Sequence, residues 1–360
     1  MTTTERISLD QPVHVVSNPY PMPPEPPRWQ PTFNGLGQYR LPDPATGDVK
    51  SFTRTSTVAK TTSSTEGLDR WIRAQHTTAL LTALRSGEHT MRSLVAHLDE
   101  AVEAGGTGKI SDAVELIAAE CGANDAANLG TAVHAWLEAV DIGQILPRDV
   151  PEQFQPHLHA YREILARYAL VPEPDYVERI VLNDAHGEQF AGTLDRLYRV
   201  VTTGDLVVGD IKTGTSLSKS WLQYAIQQSV YAGARLMLTA DGALWEPMPA
   251  VDQQVAYLIH IPRDTPEAGQ CVTLDLVRGQ RDYQRACEVR QDRRDAAKAI
   301  PGIHAIPAPT DEALRYVAAR HALQDVPHPD RMSDVWAEFK DVWSDELTEL
   351  GKRLAQLHHG

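Results

Sequence analysis

The stretch from Gln189 to Tyr231 constrains the fold of this 360-residue chain more than any other. Two runs of apolar and β-branched residues flank a short Thr-Thr-Gly-Asp sequence, which predicts two antiparallel strands joined by a hairpin turn. A serine-rich loop and a helical pattern follow. Asp195 lies inside the first run, and Asp210 and Lys212 lie at the end of the second. Charged residues are rare in buried strands unless they are paired, so these three require an explanation.

The turn decides which side chains meet. A two-residue loop at Thr203-Gly204 would place Asp195 opposite Lys212 across the ladder. Because side chains alternate along a strand, Asp210 and Lys212 share one face, and directly opposed residues share it too. The three charged side chains therefore converge. A shift of one residue would pair Asp195 with Ile211 instead, so the inference depends on the turn.

Two carboxylates and a lysine on one sheet face suit the hydrolysis of a phosphodiester with a divalent metal. Hard cations such as Mg²⁺ bind carboxylate and carbonyl oxygens. Ile211, which lies between Asp210 and Lys212 in the sequence, offers such a carbonyl. The metal would polarise the phosphoryl group and activate water, while Lys212 would hold the nucleophile or stabilise charge. The alternative is a simple salt bridge on an edge hairpin.

Neighbouring motifs favour the metal site. In chain order they are Gly192-Thr-Leu-Asp195-Arg, Asp210-Ile-Lys212-Thr-Gly214 and Gln227-Gln-Ser-Val-Tyr231. They resemble the G-x-x-D-R, D-x-K-T-G and Q-x-x-x-Y motifs of the RecB-like branch of the PD-(D/E)XK nuclease superfamily. Upstream, Gly130 to Glu138 resembles the helix that supplies the family's metal-binding histidine, here His134. The resemblance covers roughly residues 128–261, and the whole chain is similar to Cas4-like and RecB-like exonucleases encoded by actinobacterial phages.

The resemblance implies an α/β fold with a restriction-endonuclease-like core, in which a mixed central sheet is flanked by helices. It implies a deoxyribonuclease that uses Mg²⁺ or Mn²⁺ and acts as an exonuclease in phage recombination or replication. DNA is the expected substrate, and a single-strand annealing protein is an expected partner. Two alternatives stay open: an endonuclease on the same fold, and a catalytically silent DNA-binding or assembly subunit.

The predicted site residues form three groups. The catalytic residues are Asp195, Asp210, Lys212, Gln227 and Tyr231. The metal ligands are His134, Asp195, Asp210 and the Ile211 carbonyl, with Glu178 and Glu138 as further candidates. The predicted DNA contacts are Arg54, Lys60, Lys219, Arg278, Arg281 and Arg285.

Several of these candidates also have simpler interpretations. Glu178 falls in a predicted strand from Asp175 to Asn183, on the same face as Ile180, and an arginine partner would explain it as well as a site role. His134 and Glu138 lie one helical turn apart and would suit a solvated pair. The arginines between residues 278 and 285 would suit a solvated mixed-charge helix face.

Composition narrows the class of protein. With 42% hydrophobic and 23% charged residues the chain is ordinary for a globular protein, and no apolar run approaches the roughly 20 residues that span a bilayer. The first residues lack the features of a signal peptide, which favours a cytoplasmic location, in the host cell if the gene is viral. The three scattered cysteines cannot form the four-cysteine iron–sulfur site of some relatives. The net charge of −14 confines any nucleic acid to a local basic strip.

Four segments are expected along the chain. Residues 1–50 predict a proline-rich extended arm, and residues 51–125 predict a mainly helical lid or brace that includes a helix starting at Ser111. Residues 126–300 hold the predicted nuclease core, with no membrane-facing element. Residues 301–360 predict a helical segment, with a linker from Pro301 to Pro309 and a last helix whose apolar spacing runs from Trp336 to Leu357.

Overall fold

The computed structural model describes residues 18–64, 66–218, 220–303 and 308–357. Within these ranges the chain is a mixed α/β protein with two mixed β-sheets and eleven α-helices, so the predicted fold class is confirmed at this level. The chain divides into two compact units, one ending at Asp292 and the other beginning at Arg293. None of the described helices has the length and apolar content that crossing a bilayer requires.

The described strands form a larger and a smaller sheet. In chain order they are β1 (Thr32–Phe33), β2 (Tyr39–Pro42), β3 (Val49–Arg54), β4 (Leu170–Pro172), β5 (Arg179–Asn183), β6 (Phe190–Leu194), β7 (Arg196–Val200), β8 (Leu206–Lys212), β9 (Leu236–Leu238), β10 (Trp245–Pro247), β11 (Val255–His260) and β12 (Gln270–Asp275). The seven-stranded sheet has the order β1-β2-β3-β6-β5-β9-β10, and the five-stranded sheet has the order β12-β11-β8-β7-β4. β3 with β6 and β8 with β11 are parallel, whereas the other neighbours are antiparallel.

The chain passes from one sheet to the other at Asp195. β6 ends at Leu194, which pairs with Arg179 of β5 in the seven-stranded sheet. β7 begins at Arg196, which pairs with Gly209 of β8 in the five-stranded sheet. Asp195 therefore lies at the junction of both sheets.

The loop between β7 and β8 is longer than predicted. The N–H of Val200 donates to the carbonyl of Asp205 at 2.9 Å, which leaves residues 201–204 as a four-residue loop. The predicted two-residue loop at Thr203-Gly204 is wrong, because the N–H groups of both residues turn back to the Val200 carbonyl instead.

The longer loop shifts the register by two residues. Arg196 pairs with Gly209, so continuing the ladder places Asp195 beside Asp210 rather than opposite Lys212 as predicted. Because the side-chain period of a strand is two, this shift leaves all three charged residues on one face.

Helices cover both faces of the five-stranded sheet. In chain order the described helices are α1 (Thr55–Ala59), α2 (Glu66–Arg85), α3 (His89–Ala104), α4 (Thr107–Glu120), α5 (Asp125–Asp141), α6 (Gln155–Tyr168), α7 (Trp221–Ala232), α8 (Leu276–Ile303), α9 (Asp311–Asp325), α10 (Met332–Glu338) and α11 (Asp345–Leu357). Val207 and Ile211 of β8 share a buried cluster with α5 and α6, whereas Val208 shares one with Tyr231 of α7. Alternation along β8 therefore turns Asp210 and Lys212 toward the side of α7.

Helices α2, α3 and α4 bury an apolar cluster of their own in the segment predicted to be helical. α4 begins at Thr107, four residues before the predicted start at Ser111. The reason is the Gly105-Gly106 pair, whose φ values of 69° and 100° end α3 and allow a new helix to start at once.

The second compact unit differs from prediction at two points. α8 continues through Ile303, so the linker predicted from Pro301 begins as helix, and residues 304–307 lie outside the described ranges. The last predicted helix is interrupted between α10 and α11. Ser344 causes the restart, because its Oγ accepts the Leu347 N–H at 3.3 Å as a helix N-cap does.

Candidate metal centre

His134, Glu178 and Asp195 lie together where the two sheets meet. One ligand atom from each residue lies within 4.8 Å of the other two. His134 Nδ1 is 3.5 Å from Asp195 Oδ2. His134 comes from α5, Glu178 precedes β5, and Asp195 joins β6 to β7, so three separate segments supply the donors.

Glu178 reaches this cluster from a left-handed backbone conformation and not from a strand. Its φ is 51°, and its N–H donates to the Asp195 carbonyl at 2.8 Å. The strand predicted from Asp175 is wrong in its first four residues, since β5 begins at Arg179. A left-handed residue interrupts the alternation of side chains, so the predicted shared face with Ile180 does not apply to Glu178. Uncommon backbone of this kind clusters at functional sites.

Burial and neighbouring charges shift the pKa values of His134, Glu178 and Asp195. Burial raises the pKa of Glu178 to about 8, and the charge of Asp195 adds to this while Arg196 opposes it. Burial lowers the pKa of His134 to about 4, against the attraction of Asp195, so the imidazole is neutral at pH 7. Burial raises the pKa of Asp195, but His134 and Lys212 outweigh it and the carboxyl ionises below its usual range. A neutral imidazole and an ionised carboxylate are the forms that bind metals.

Asp210 and Lys212 lie beside the three donors on β8. The N–H of Ile211 donates to Asp195 Oδ2 at 3.0 Å, which joins the strand to the cluster. The Lys212 ammonium contacts the Asp210 carboxylate. Burial raises the pKa of Asp210 to about 7, although Lys212 opposes this shift. Burial alone would lower the pKa of Lys212, but Asp210 and Asp195 raise it, so the ammonium stays charged at neutral pH.

His134, Glu178 and Asp195 could hold a metal ion, and Asp210 lies beside them. The Asp210 side chain is only 1% exposed, and apart from its ion pair with Lys212 it accepts no hydrogen bond of standard geometry from the described residues. Burial is the largest cause of the raised pKa values of Glu178 and Asp210, and a positive charge between them would favour their ionised forms. The Ile211 carbonyl, also predicted as a ligand, lies 3.4 Å from Lys212 Nζ.

A fully buried arginine supports Glu178. Arg196 Nη1 lies 3.2 Å from Glu178 Oε1, and its Nε donates to Asp141 Oδ2 at 3.1 Å. The Tyr161 hydroxyl donates to the same Asp141 oxygen at 2.9 Å. Asp141 was not among the residues that the sequence motifs predict for the site. Its spacing of seven residues from His134 on one helix was the available signal, because residues seven apart share a helix face.

Glu138 has a different partner from the one considered in the sequence. Arg28 binds it with two hydrogen bonds, from Nε to Oε1 at 2.8 Å and from Nη2 to Oε2 at 3.3 Å. The solvated pair of His134 with Glu138 therefore does not describe this structure. The proline-rich segment also holds to α5 nearby, because Trp136 Nε1 donates to the Pro21 carbonyl at 2.9 Å.

Gln227 and Tyr231 lie together on the side of α7 near the carboxylates. Gln227 Nε2 donates to the Tyr231 hydroxyl at 3.1 Å. Burial raises the pKa of Tyr231, and the charges of Asp195 and Asp210 add to the shift. The neighbouring Gln228, which the motifs did not single out, is fully buried, and its polar side chain lowers the pKa of Asp210.

Two glycines of the motifs allow close packing around the site. A Cβ on Gly192 would lie 2.7 Å from Tyr231 Cε1 and 2.5 Å from Thr55 Oγ1. A Cβ on Gly130 would lie 2.7 Å from the Oγ1 of Thr213. The absence of a side chain at both glycines therefore allows these segments to approach closely.

The predicted DNA contacts that the structure describes lie at the end of β3, directly after α1 and on α8. Arg54 is exposed on β3, with its guanidinium over the rings of Phe33 and Tyr39 at 5.4 and 5.9 Å. Lys60 is exposed directly after α1, and Lys219 lies outside the described residues.

The arginines of α8 lie on an exposed helix face. Arg278 Nε and Arg285 Nη1 each lie 3.7 Å from a carboxylate oxygen of Asp282, and Arg281 is exposed. The mixed-charge arrangement considered in the sequence analysis describes this face.

Comparison of the chain with models of known protein families and with curated proteins finds no match. The interpretation of the site therefore depends on its own geometry and on the motifs.

Proposed function

We propose that this chain is a Mg²⁺- or Mn²⁺-dependent DNA exonuclease of the RecB-like branch of the PD-(D/E)XK superfamily. One observation carries the proposal. His134, Glu178 and Asp195 present three metal ligands within 4.8 Å of one another, and the Asp210–Lys212 pair lies directly beside them. Metal-assisted phosphodiester hydrolysis needs such a set of hard donors together with a nearby cation.

The order of the elements supports a restriction-endonuclease-like core. α5 brings His134, the β7–β8 hairpin brings Asp195 and Asp210, and α7 brings Gln227 and Tyr231. After α7, β11 returns parallel to β8. This is a mixed sheet with helices on both faces, as the resemblance implies.

Metal binding, charge stabilisation and positioning of the substrate would be carried out by different residues of the site. Glu178, Asp195 and neutral His134 would hold the cation, which supplies Lewis acidity and lowers the pKa of water. Lys212 remains protonated, so its N–H groups are available to stabilise charge that develops on the phosphate. The Gln227 amide, fixed by the Tyr231 hydroxyl, would position a phosphate oxygen or the attacking water.

The preference for DNA ends follows from charge and from the resemblance. A chain with a net charge of −14 has little attraction for the middle of a long duplex. An end can enter a confined site without coating the surface of the protein. We therefore propose an exonuclease, with an endonuclease on the same fold as the competing activity.

The test compares linear DNA with covalently closed circular DNA of the same sequence, with Mg²⁺, with Mn²⁺ and with a chelator. We expect the linear form to be degraded only when a metal is added, and the closed circle to survive. Asp282→Asn on α8 is the matched control, which should retain activity. Equal loss of circular and linear DNA would replace the exonuclease with the endonuclease. If no condition yields hydrolysis, the nuclease proposal is overturned.

A further inference from the structure

A buried histidine outside the motifs lies on the strand next to Lys212. His260 ends β11 and is only 6% exposed. β11 runs parallel to β8, and His260 pairs with Lys212 in the ladder. Leu258, two residues earlier on β11, shares a buried cluster with Tyr231 of α7, so alternation turns His260 toward the same side. The imidazole therefore lies on the face of the sheet that carries Asp210 and Lys212.

We infer that His260 is a positioning residue, which restrains the backbone that follows Lys212 and so fixes the direction of the lysine. This inference rests on the proposed function, in which Lys212 stabilises charge on the phosphate. It adds a residue that touches neither the metal nor the substrate.

Two backbone hydrogen bonds hold the chain where β8 ends. The N–H of Ile261 donates to the Lys212 carbonyl at 2.8 Å, and the N–H of Arg263 donates to the Thr213 carbonyl at 3.0 Å. Every residue except proline has such an N–H, so these two bonds do not depend on the side chains of Ile261 and Arg263.

The next carbonyl along the chain depends on one side chain. The Gly214 carbonyl oxygen lies 2.6 Å from His260 Nε2. A carbonyl only accepts hydrogen bonds, so Nε2 carries a proton and donates it. The third bond of the series therefore requires the imidazole of His260.

Gly214 needs a restraint of this kind. Glycine is the residue with the greatest backbone freedom, because it has no Cβ. Among the described residues, a Cβ built on Gly214 would approach only the Ser216 carbonyl oxygen, at 3.8 Å, which is an ordinary contact distance. Close packing therefore does not fix Gly214, whereas the hydrogen bond from His260 does.

The position of Gly214 matters because its segment connects two parts of the proposed site. The segment leaves β8 at Lys212 and leads into α7, which carries Gln227 and Tyr231. Misplacing a catalytic group by about 1 Å can lower a rate about 100-fold. The three metal donors belong to other segments, so the restraint at Gly214 acts on the rate of hydrolysis and not on metal binding.

The experiment replaces His260 by two amides of different length. The amide nitrogen of glutamine lies about as far from the backbone as Nε2 of histidine, whereas that of asparagine lies near the position of Nδ1. His260→Gln can therefore keep a donor at the Gly214 carbonyl, and His260→Asn cannot. The control is Tyr257→Phe, because Tyr257 is a polar ring on the same strand that packs on the opposite face, toward α5 and α6.

We expect the loss to appear in kcat. On linear DNA with Mg²⁺, His260→Asn should lower kcat by about 10-fold to 100-fold and change KM and the affinity for Mn²⁺ by less than about twofold. His260→Gln should restore most of the loss, and Tyr257→Phe should behave as the wild-type protein does.

The restraint on Gly214 is also measured without DNA. The order parameter of its backbone N–H, from ¹⁵N relaxation, should be about 0.85 in the wild-type protein and in His260→Gln, and should fall below about 0.6 in His260→Asn. Circular dichroism verifies that each variant is folded.

Three results would overturn the inference: a wild-type kcat in His260→Asn, an equal loss in the glutamine and asparagine variants, or a Gly214 N–H that stays rigid in His260→Asn. Each of them leaves the proposed function intact, because the wild-type protein still hydrolyses linear DNA. If the wild-type protein does not hydrolyse DNA, the proposed function is overturned, and the order parameter of Gly214 alone decides whether His260 restrains this segment.

Discussion

The candidate metal centre and the exposed face of α8 contain the same kinds of residue in different environments. At the centre, Asp195, Asp210 and Lys212 lie between the two sheets, and burial moves the pKa of Asp210 to about 7. On α8, Arg278 and Arg285 flank Asp282 at 3.7 Å, and both arginine side chains are more than two-thirds exposed. Both regions pair aspartates with basic residues, so the difference in their electrostatics comes from burial at the centre and exposure on α8.

The candidate metal centre differs from the α8 face in that its donors come from several segments of the chain. The candidate metal centre draws on α5, the turn before β5, the β6–β7 junction and β8, and each of these segments fixes one or two of its side chains. The α8 charges belong to one helix, and long exposed side chains move freely. Water screens such pairs, and each contributes only about 0–1 kcal/mol. Donors held in place before a cation arrives lose little entropy when it binds.

The largest effect is expected from the carboxylate and the lysine of the centre. Asp195→Asn and Lys212→Ala should each lower the rate of DNA hydrolysis by about 10³-fold or more, because each removes a charge that no other segment replaces. Initial rates on linear DNA test this, with circular dichroism to verify the fold. If either variant retains the wild-type rate, the centre is no different from the α8 face.

A smaller effect is expected when one ligand of several is lost. His134→Ala should weaken Mn²⁺ binding by about 10-fold to 100-fold, because a neutral imidazole donor disappears. Isothermal titration calorimetry measures the affinity. His159→Ala is the matched control, since His159 is exposed on α6 beside Glu163 and should bind metal no differently after the change. An unchanged affinity in His134→Ala would remove His134 from the ligand set.

Glu178 should show opposite effects on stability and on activity. Its pKa is about 8 in the folded protein and 4.5 for an ordinary glutamate, so the folded state binds more protons and loses stability as the pH rises between these values. Glu178→Gln should therefore raise the free energy of unfolding of the metal-free protein by about 1–2 kcal/mol near pH 8, while lowering the rate of hydrolysis.

Urea denaturation at several pH values measures this effect. The difference between Glu178→Gln and the wild-type protein should shrink as the pH falls from about 8 toward 4.5, because the protonated acid is as neutral as the amide. If the difference in unfolding free energy does not vary with pH, the pKa of Glu178 is not raised in the folded protein.

The smallest effect is expected on α8. Replacing Arg278, Arg281 and Arg285 together by alanine should change the rate of hydrolysis less than twofold, because this face is solvated and internally paired. The salt dependence of DNA affinity tests directly whether these arginines contact phosphates. If the three arginines contact phosphates, as the sequence analysis predicts, the slope of log affinity against log salt falls by about three.

Local pattern accounts for part of the site. Asp210 and Lys212 share one face because they lie two residues apart on β8, and any even shift of the β7–β8 register keeps Asp195 on that face, so the error in the loop did not separate the three. Glu178 shows the limit, because no local signal predicts a left-handed residue directly before β5. Arg28 and Asp141 show a second limit. Their partners, Glu138 and Arg196, lie 110 and 55 residues away in the sequence, so only tertiary packing brings each pair together.

The junction at Asp195 has a consequence for assembly. The turn carrying Glu178 leads into one sheet, and Asp210 and Lys212 belong to the other, so neither sheet alone contains the full centre. Under the proposed function, a chain in which only one of the two sheets has formed would lack part of the centre and would not hydrolyse DNA. We expect the recovery of hydrolysis during refolding to lag behind the fluorescence change that reports either sheet. Simultaneous recovery would show that both sheets form in one cooperative event.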